Sequence, residues 1–311
     1  MEYPTKAGTV HAVDGVDMDV AAGEIVGVVG ESGSGKTSVV LATMRLLPPP
    51  GRVVSGRIVL DGQDLRELTP AAMRRRRGKE LAYVPQAAMN SLNPVVQVGK
   101  QIGESLALHT ALAGEAAGAR IREVLEMVDL HPDVTRRYPH ELSGGMRQRA
   151  VIAMALAPGP RLVLADEPTS GLDVLVRVQI LKLLRRLVAE LDLAMLMVSH
   201  DLRLVSRWCE RAVVMYAGRR VEEGPARDLL AGSLHPYPQA LARALPSLRG
   251  ELGGTSTIPG EPPDLTHVPS GCPFHPRCSA AMSKCSETEP PVVAVDGHRV
   301  ACHLVADERA S

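Results

Sequence analysis

The segment at residues 30–37, which reads GESGSGKT, constrains the fold of this chain more than any other part of its sequence. It fits the pattern G-x-x-x-x-G-K-[ST] at every fixed position. An apolar run at 24–29 precedes it and predicts a buried strand, and a helix is predicted to follow from about Lys36 to Leu47. Glycines let the backbone curl so that successive N–H groups face phosphate oxygens, and the helix N-terminus attracts the same anion. The segment therefore predicts a strand–loop–helix unit that binds the phosphates of a nucleotide.

The side chains of this loop have distinct expected roles. Lys36 reaches the β- and γ-phosphates, and the Thr37 hydroxyl binds Mg²⁺. A plain glycine-rich turn is the alternative interpretation, and it would leave both residues unexplained. The residues expected to contact the nucleotide are Gly30, Ser32, Gly33, Ser34, Gly35, Lys36, Thr37 and Ser38.

Two carboxylates end a second apolar run, at residues 162–167 (LVLADE). At the end of a strand in a parallel sheet, Asp166 can hold Mg²⁺ through a water molecule. Glu167 can then orient and deprotonate the water that attacks the phosphate. An acidic pair that caps a helix is the alternative, but the phosphate-binding segment favours the catalytic interpretation.

Strands and helices alternate along the chain, which predicts an α/β core with helices on both faces of a sheet. The formal net charge is zero, with 35 basic and 35 acidic residues, so no overall field attracts nucleic acid or an anionic membrane. The longest apolar runs are far shorter than the roughly 18 residues that span a bilayer. No signal peptide opens the sequence. Any role at a membrane is therefore expected to depend on docking to a partner.

A further segment, 142–149 (LSGGMRQR), matches the signature of ABC-transporter ATPases and precedes the Asp–Glu strand, as it does in that family. The chain thus resembles the ATP-binding subunits of ABC transporters. A helix capped by Ser143 is the plainer interpretation, and the two are compatible. The resemblance implies a head-to-tail dimer in which Ser143, Gly144 and Gly145 close on ATP held by a second subunit.

The remaining motifs of that family follow in order. The resemblance implies that Gln86 senses Mg²⁺ and water and that His200 contacts the γ-phosphate. Asp173 ends the segment SGLD, which corresponds to the D-loop, although alanine is commoner than Gly171 there. Tyr3 corresponds by spacing to the aromatic residue that stacks on adenine. The strand that normally precedes it is absent from this sequence, and a frayed terminal tyrosine is the alternative.

Three segments narrow the resemblance to ATPases of dipeptide and oligopeptide importers, a group with nickel and opine relatives. They are NSLNP at 90–94, HPY at 235–237 and a cysteine-bearing tail. Such an importer pairs two different ATPases with two membrane permeases and an external binding protein, which implies a peripheral location on the cytoplasmic face of the membrane. The cargo stays open, because other subunits bind it. A soluble ABC ATPase that acts on nucleic acid or ribosomes is disfavoured, because such proteins carry two cassettes or long coiled coils.

Four of the five cysteines lie in the tail, with the spacing C-x5-C-x6-C-x16-C. A reducing compartment makes disulfides unexpected, and the spacing matches none of the usual zinc templates. From the residues alone, Cys272, Cys278, Cys285 and Cys302 predict a soft metal or a cluster. The family resemblance implies an iron–sulfur cluster, [4Fe–4S], with a structural or redox-sensing role. Zinc and free thiols remain the alternatives.

Composition shifts after about Leu245, where residues 246–271 are rich in Pro, Gly, Ser and Thr and predict a linker or wrapping arm. We therefore expect an ABC ATPase domain at 1–235, with a helical subdomain at about 90–150, and a C-terminal extension at 236–311. The expected fold class is α/β: a P-loop NTPase core with a RecA-like sheet and a helical subdomain, followed by the cysteine-containing extension.

Overall fold

The computed structural model describes residues 1–244 and 257–310. Part of the predicted linker at 246–271 therefore lies outside the described residues. The chain divides into two compact units. The first unit contains Met1–Asp19, Val26–Gly56 and Ser199–Ser311, and the second contains Val20–Ile25 and Arg57–Val198.

The strands of the described residues are mostly four to seven residues long. In chain order they are β1 (Glu2–Thr5), β2 (Gly8–His11), β3 (Ile25–Val29), β4 (Val59–Leu60), β5 (Gln63–Asp64), β6 (Leu81–Val84), β7 (Leu162–Asp166), β8 (Ala194–Ser199), β9 (Arg211–Tyr216), β10 (Arg219–Pro225), β11 (Val292–Val295) and β12 (His298–Ala301).

The helices vary from one turn to five turns in length. In chain order they are α1 (Lys36–Thr43), α2 (Pro70–Arg76), α3 (Val98–His109), α4 (Gly114–Met127), α5 (Gly144–Leu156), α6 (Val174–Leu191), α7 (Leu202–Trp208), α8 (Asp228–Ala231), α9 (Pro236–Ala244), α10 (Lys284–Glu287) and α11 (His303–Ala310).

In the first unit, five strands lie side by side in the order β11, β12, β10, β9 and β3. The β9–β3 pair is parallel, and the other three pairs are antiparallel. All five residues of β3 are buried, and so are residues 212–216 of β9. A strand that is covered on both faces needs an apolar residue at every position. This explains why both segments are unbroken apolar runs in the sequence.

In the second unit, the parallel strands β8, β7 and β6 are neighbours in that order. Their register pairs Val84 with Ala165, and Asp166 with Val198. The carboxyl ends of these strands therefore lie at one edge. In open α/β sheets, the loops beyond this edge are where ligands bind.

Helices α3, α4 and α5 pack against one another in the second unit. The spacing of Ile121, Val124, Leu125 and Val128 predicts one apolar face of a helix, and on α4 and its C-cap the last three are buried while Ile121 is half-buried. The spacing of five apolar residues predicts a second stripe, on α6: Ile180, Leu183, Leu184 and Leu187 are buried as expected, whereas Leu191, at the end of the helix, is exposed. Burial of one apolar face of each helix therefore builds the core of this part of the unit.

Several predicted boundaries are wrong. Helix α1 ends at Thr43 rather than near residue 47, because Arg45 adopts a left-handed backbone conformation with φ 49° that breaks the helix. The periodicity of residues 95 to about 133 predicts one helical stretch, but the stretch forms two helices, α3 and α4, because Thr110 is extended. Residues 57–60, whose apolar pattern predicts a strand, contain only the two-residue β4, and the sequence does not predict the hairpin β1–β2 or the strands β10 to β12.

Among residues 1–244 and 257–310, no helix combines the length and the apolar character needed to cross a membrane.

Candidate active site

The loop between β3 and α1 has a backbone shape that two of its glycines make possible. Gly35, which caps α1, has φ 98°, and a Cβ at this position would overlap the carbonyl oxygen of Ala12. A Cβ on Gly30 would overlap the carbonyl oxygen of Met215. Neither position tolerates a side chain without movement of the backbone. The loop therefore has the curled form that presents N–H groups to an anion.

Lys36 lies over this loop and is buried, with 7% of its surface exposed. Its Nζ donates hydrogen bonds to the carbonyl oxygens of Gly30 (2.8 Å) and Glu31 (2.7 Å), and it lies 3.4 Å from Ser34 Oγ. The ammonium group is thus held within the loop by backbone carbonyls. A phosphate group that enters the loop meets a positive charge that is already in position.

The other predicted contacts of the loop differ in exposure. Ser34 is buried, and its carbonyl accepts a hydrogen bond from Gly218 N–H at 3.1 Å. Ser32, Gly33 and Thr37 are exposed, while Ser38 is half-buried. The Thr37 hydroxyl, at the start of α1, is therefore accessible to a metal ion or a phosphate oxygen.

The two predicted carboxylates follow directly from the end of β7. Asp166 is 1% exposed, and a carboxylate so deeply buried needs a cation or hydrogen-bond donors for compensation. Oxygen donors of this kind suit Mg²⁺. Burial raises the pKa of the neighbouring Tyr83 to about 12, and the charge of Asp166 adds to that rise. Tyr83 therefore stays protonated beside this carboxylate.

Glu167 has an uncommon backbone conformation and contacts the predicted Q-loop residue. Its φ is 46°, in the left-handed region that non-glycine residues seldom adopt, and its N–H donates to the Val198 carbonyl at 3.0 Å. Gln86 Nε2 lies 3.4 Å from Glu167 Oε2. Gln86 follows β6 and Glu167 follows β7, so the parallel pairing of these strands brings the two side chains together.

The signature segment forms the N-terminus of α5. Ser143 is the N-cap, and its Oγ accepts a hydrogen bond from Met146 N–H at 3.3 Å. A Cβ on Gly145 would lie 2.8 Å from Val176 Cγ1, so the first turn of α5 lies close to the first turn of α6. Asp173 caps α6 and accepts from Val176 N–H at 3.0 Å. Ser143 and Asp173 are both exposed, and the N-terminus of α5 is available to an anion.

His200 and Tyr3 both belong to the first unit. His200 is exposed and follows β8, and the next residue, Asp201, caps α7 through Arg203 N–H at 2.9 Å. Tyr3 lies in β1, and its ring packs against Gly51. The γ-phosphate role of His200 and the adenine role of Tyr3 stay predictions.

The four clustered cysteines surround one cavity, together with Phe274 and neighbouring residues. Cys272, Cys285 and Cys302 are buried, and Cys278 is half-buried. Burial raises the pKa of the Cys272 thiol to about 11. Within the described ranges, 1–244 and 257–310, no three or more His, Cys, Asp or Glu side chains are arranged to hold a metal ion. The geometry therefore does not support the predicted iron–sulfur cluster, although four thiols are the donor set that such a cluster uses.

A loop of this shape at the start of a helix binds nucleotide phosphates, and the carboxylates after β7 supply what hydrolysis requires. These features define the chain as a P-loop nucleotide hydrolase. Residues 13–170 match the family model for ABC transporters, and residues 221–285 match the model for the oligopeptide/dipeptide transporter C-terminal region. The chain belongs to the ABC transporter family, as an ATPase subunit.

Similar proteins cover nearly the whole chain. A Brucella melitensis protein, provisionally named a peptide import ATP-binding protein, is 42% identical over 305 residues, which are 97% of this chain and 92% of the relative. A similarly named Brucella ovis protein is 45% identical over 313 residues, with 95% and 92% covered.

Solved structures of ATP-binding cassettes are also similar. The cassette MJ0796, a dimer in a post-hydrolysis state bound to ADP and Pi, has a TM-score of 0.63 and 28% identity, covering 73% of this chain and 95% of that chain. CbiO1 from Clostridium perfringens, part of the ABC transporter complex cbiONQ, has a TM-score of 0.63 and 26% identity, covering 75% and 88%.

These matches confirm the predicted family and the α/β ATPase fold. The roles of individual site residues and the predicted domain boundary after residue 235 stay predictions. No sequence motif assigns a role to Glu31 or Arg277, and Tyr237 belongs only to the HPY segment. The structure brings these three residues together at the phosphate-binding loop. Their separation along the chain is the reason that no local pattern indicates the contact.

Proposed function

We propose that this chain is the ATP-hydrolysing subunit of an importer for dipeptides and oligopeptides, bound peripherally at the cytoplasmic face of the membrane. The observation that carries this proposal is the match of residues 221–285 to the C-terminal region of oligopeptide/dipeptide transporters. The names of the Brucella relatives support it, because those proteins align over almost the full length of this chain.

In the proposed mechanism, the phosphate-binding loop and Lys36 hold the phosphates of ATP. Thr37, Asp166 and Gln86 would hold Mg²⁺, which neutralises charge on the phosphate oxygens. The loop glycines and the N-terminus of α1 direct N–H groups toward the same anion. Binding is favourable because these donors are in position before the nucleotide arrives.

Glu167 is the proposed general base, which accepts a proton from the attacking water. Its contact with Gln86 Nε2, at 3.4 Å, supports this role, because an amide donor orients the carboxylate and senses its charge. His200 is proposed to contact the γ-phosphate, and Tyr3 is proposed to stack on adenine. Hydrolysis then follows from positioning and electrostatics rather than from a covalent intermediate.

We further propose that two ATPase subunits bind two ATP molecules between them. Ser143, Gly144 and Gly145 of one subunit would contact the ATP held by the other, and Asp173 would lie near the same interface. The exposed N-terminus of α5, capped by Ser143, supports this arrangement, because such a terminus attracts a phosphate. When the two subunits close on ATP, water is excluded and the electrostatic interactions at the phosphates become stronger.

The proposed partners are a second, homologous ATPase, two membrane permeases and an external substrate-binding protein, without nucleic acid. Reconstitution with two permeases and a binding protein of a peptide importer tests the proposal. ATP hydrolysis should be stimulated by a dipeptide or oligopeptide together with the binding protein. Stimulation by nickel or an opine instead would contradict the peptide assignment, and hydrolysis that is lost neither in Lys36→Ala nor in Glu167→Gln would contradict the proposed site.

The cysteine-bearing segment is proposed to hold a [4Fe–4S] cluster through Cys272, Cys278, Cys285 and Cys302. The chemistry of the four donors supports this proposal, because thiolates are the ligands that such a cluster uses. Iron and acid-labile sulfide are measured in anaerobically purified protein, and about four of each per chain are expected. Stoichiometric zinc without iron, or metal-free thiols, would contradict it.

A further inference from the structure

Glu31 is the second residue of the phosphate-binding loop, and all three of its polar groups are engaged. Its N–H donates to Tyr237 Oη at 2.8 Å, and its carbonyl oxygen accepts from Lys36 Nζ at 2.7 Å. Its carboxylate forms a two-point pair with Arg277, with Nη1–Oε2 2.7 Å and Nη2–Oε1 3.1 Å. Two of the three partners come from the chain beyond residue 235. The C-terminal segment thus holds the loop at both the backbone and the side chain of one residue.

Arg277 is itself fixed by several contacts. Only 6% of its side chain is exposed. Its Nε donates to the Pro259 carbonyl at 2.9 Å, and its Nη1 also lies 3.2 Å from Tyr216 Oη. A planar guanidinium that meets a carboxylate at two points fixes the orientation as well as the distance of its partner. Arg277 therefore orients the Glu31 side chain rather than only neutralising it.

An aromatic cluster supports both contacts with Glu31. The rings of Tyr216, Tyr237 and Phe274 have centroids 4.6 to 5.2 Å apart and are almost completely buried. Tilted and edge-to-face rings at this spacing attract one another and hold defined orientations. Tyr237 Oη is therefore held at a fixed place beneath the loop. Phe274 and Arg277 belong to the short stretch between Cys272 and Cys278. The cysteine-bearing segment therefore supplies both a ring of the aromatic cluster and the guanidinium that pairs with Glu31.

We infer that Arg277 and Tyr237 are positioning residues for the phosphate-binding loop, so that the cysteine-bearing segment sets the affinity of the subunit for ATP. The peptide group that joins Gly30 to Glu31 donates its N–H to Tyr237 Oη, and its carbonyl oxygen accepts a hydrogen bond from Lys36 Nζ at 2.8 Å. Its orientation therefore determines where the ammonium group rests. When these contacts are lost, the free loop samples more conformations. Binding of ATP then has to order the loop, and the conformational entropy lost in doing so lowers the affinity.

This inference rests on the proposed nucleotide site, and two variants of the full-length chain test it. Arg277→Gln removes the cation, and Tyr237→Phe removes one hydroxyl but keeps the buried ring. Arg277→Gln should weaken MgATP binding on the order of tenfold, and Tyr237→Phe about threefold, by isothermal titration calorimetry. The weaker affinity should appear as a higher KM at nearly unchanged kcat. A residue with only a structural role would not shift KM alone.

A double-mutant cycle that combines Arg277→Gln with Glu31→Gln isolates the contribution of this ion pair to ATP affinity. Arg277→Gln should have little further effect on ATP affinity when Glu31→Gln is already present. Lys284→Gln is the matched control, because it removes an ion pair with Asp307 in the same part of the chain without touching the loop. The control should bind ATP as the wild type does.

The outcomes distinguish this inference from the proposed site. Wild-type ATP affinity in folded Arg277→Gln and Tyr237→Phe, with binding abolished in Lys36→Ala, would overturn the positioning role alone. Wild-type affinity in Lys36→Ala would overturn the nucleotide site itself. If Arg277→Gln does not fold, two measurements of ATP affinity test the positioning role instead. Tyr237→Phe should weaken binding about threefold in the wild-type background, and its effect is measured again in the Glu31→Gln background.

Discussion

Glu222, in β10, binds residues of the C-terminal segment, and its removal is expected to lower the free energy of unfolding. The side chain is fully buried, with 0% exposure. Its carboxylate accepts hydrogen bonds from the N–H groups of Leu234 (3.0 Å) and His235 (2.9 Å), and it pairs with His298 Nδ1 at 2.8 Å. The substitution Glu222→Ala therefore leaves three buried polar groups without their hydrogen-bond partner.

The magnitude follows from these contacts. A buried hydrogen bond to a charged group contributes about 1.5–3 kcal/mol, and unsatisfied buried partners add to the loss. Each buried donor that is left without its acceptor costs about 1–3 kcal/mol, and Glu222→Ala leaves three such groups. We expect the free energy of unfolding to fall by about 3–5 kcal/mol in Glu222→Ala. Glu222→Gln keeps the shape and accepts from the same N–H groups, so it should lose less.

Urea unfolding, followed by fluorescence and circular dichroism, measures the change. Glu289→Ala serves as a control, because Glu289 is 69% exposed in its ion pair with Arg219 and should change stability by less than about 1 kcal/mol. Because His235 precedes α9, which carries Tyr237, Glu222→Ala should also weaken ATP binding. A loss of less than 1 kcal/mol in Glu222→Ala would refute the reasoning.

Three further predictions concern the catalytic base, the phosphate-binding loop and an isolated thiol. Glu167→Gln should lower the turnover number by about 10²–10⁴-fold while ATP affinity stays close to wild type. Single-turnover hydrolysis and equilibrium binding measure the two quantities. Unchanged turnover would rule out Glu167 as the general base. Gly30→Ala should weaken ATP binding at least about tenfold, because its Cβ would overlap a backbone carbonyl oxygen that cannot move independently; calorimetry that gives wild-type affinity would contradict this. Cys209 is 6% exposed, and burial raises the pKa of its thiol, so it should resist alkylation at pH 8 until the protein unfolds. Peptide mass mapping after timed iodoacetamide treatment checks this, and rapid labelling of the native protein would be the contrary result.

The elements next to the chemistry could be predicted from the sequence because their signals are local. The buried strands β3 and β7 are continuous apolar runs, and Ser143 caps its helix as its residue type suggests. The contact of Gln86 with Glu167 was not predicted, because it depends on the pairing of two strands that lie far apart in the sequence.

Other features depend on contacts that no local pattern records. Arg277 meets Glu31 across 246 residues of sequence, so neither residue is marked as part of the loop. Strand β12 pairs with β10 and β11 pairs with β12, both in antiparallel register, which the short apolar segments do not specify. The cysteine spacing predicts a shared location, which the common cavity agrees with, but it does not determine how closely the sulfur atoms approach one another.

The backbone of Glu167 has a consequence for how such a subunit can evolve. Glycine or asparagine would occupy a φ of 46° more easily than glutamate does, so stability alone favours their presence at this position. Glu167→Gly should therefore melt at a higher temperature than the wild type while it no longer turns over ATP. Selection for folding stability alone would therefore remove Glu167 and with it ATP hydrolysis. A subunit that is stable but no longer hydrolyses ATP is the expected product when selection on hydrolysis is relaxed.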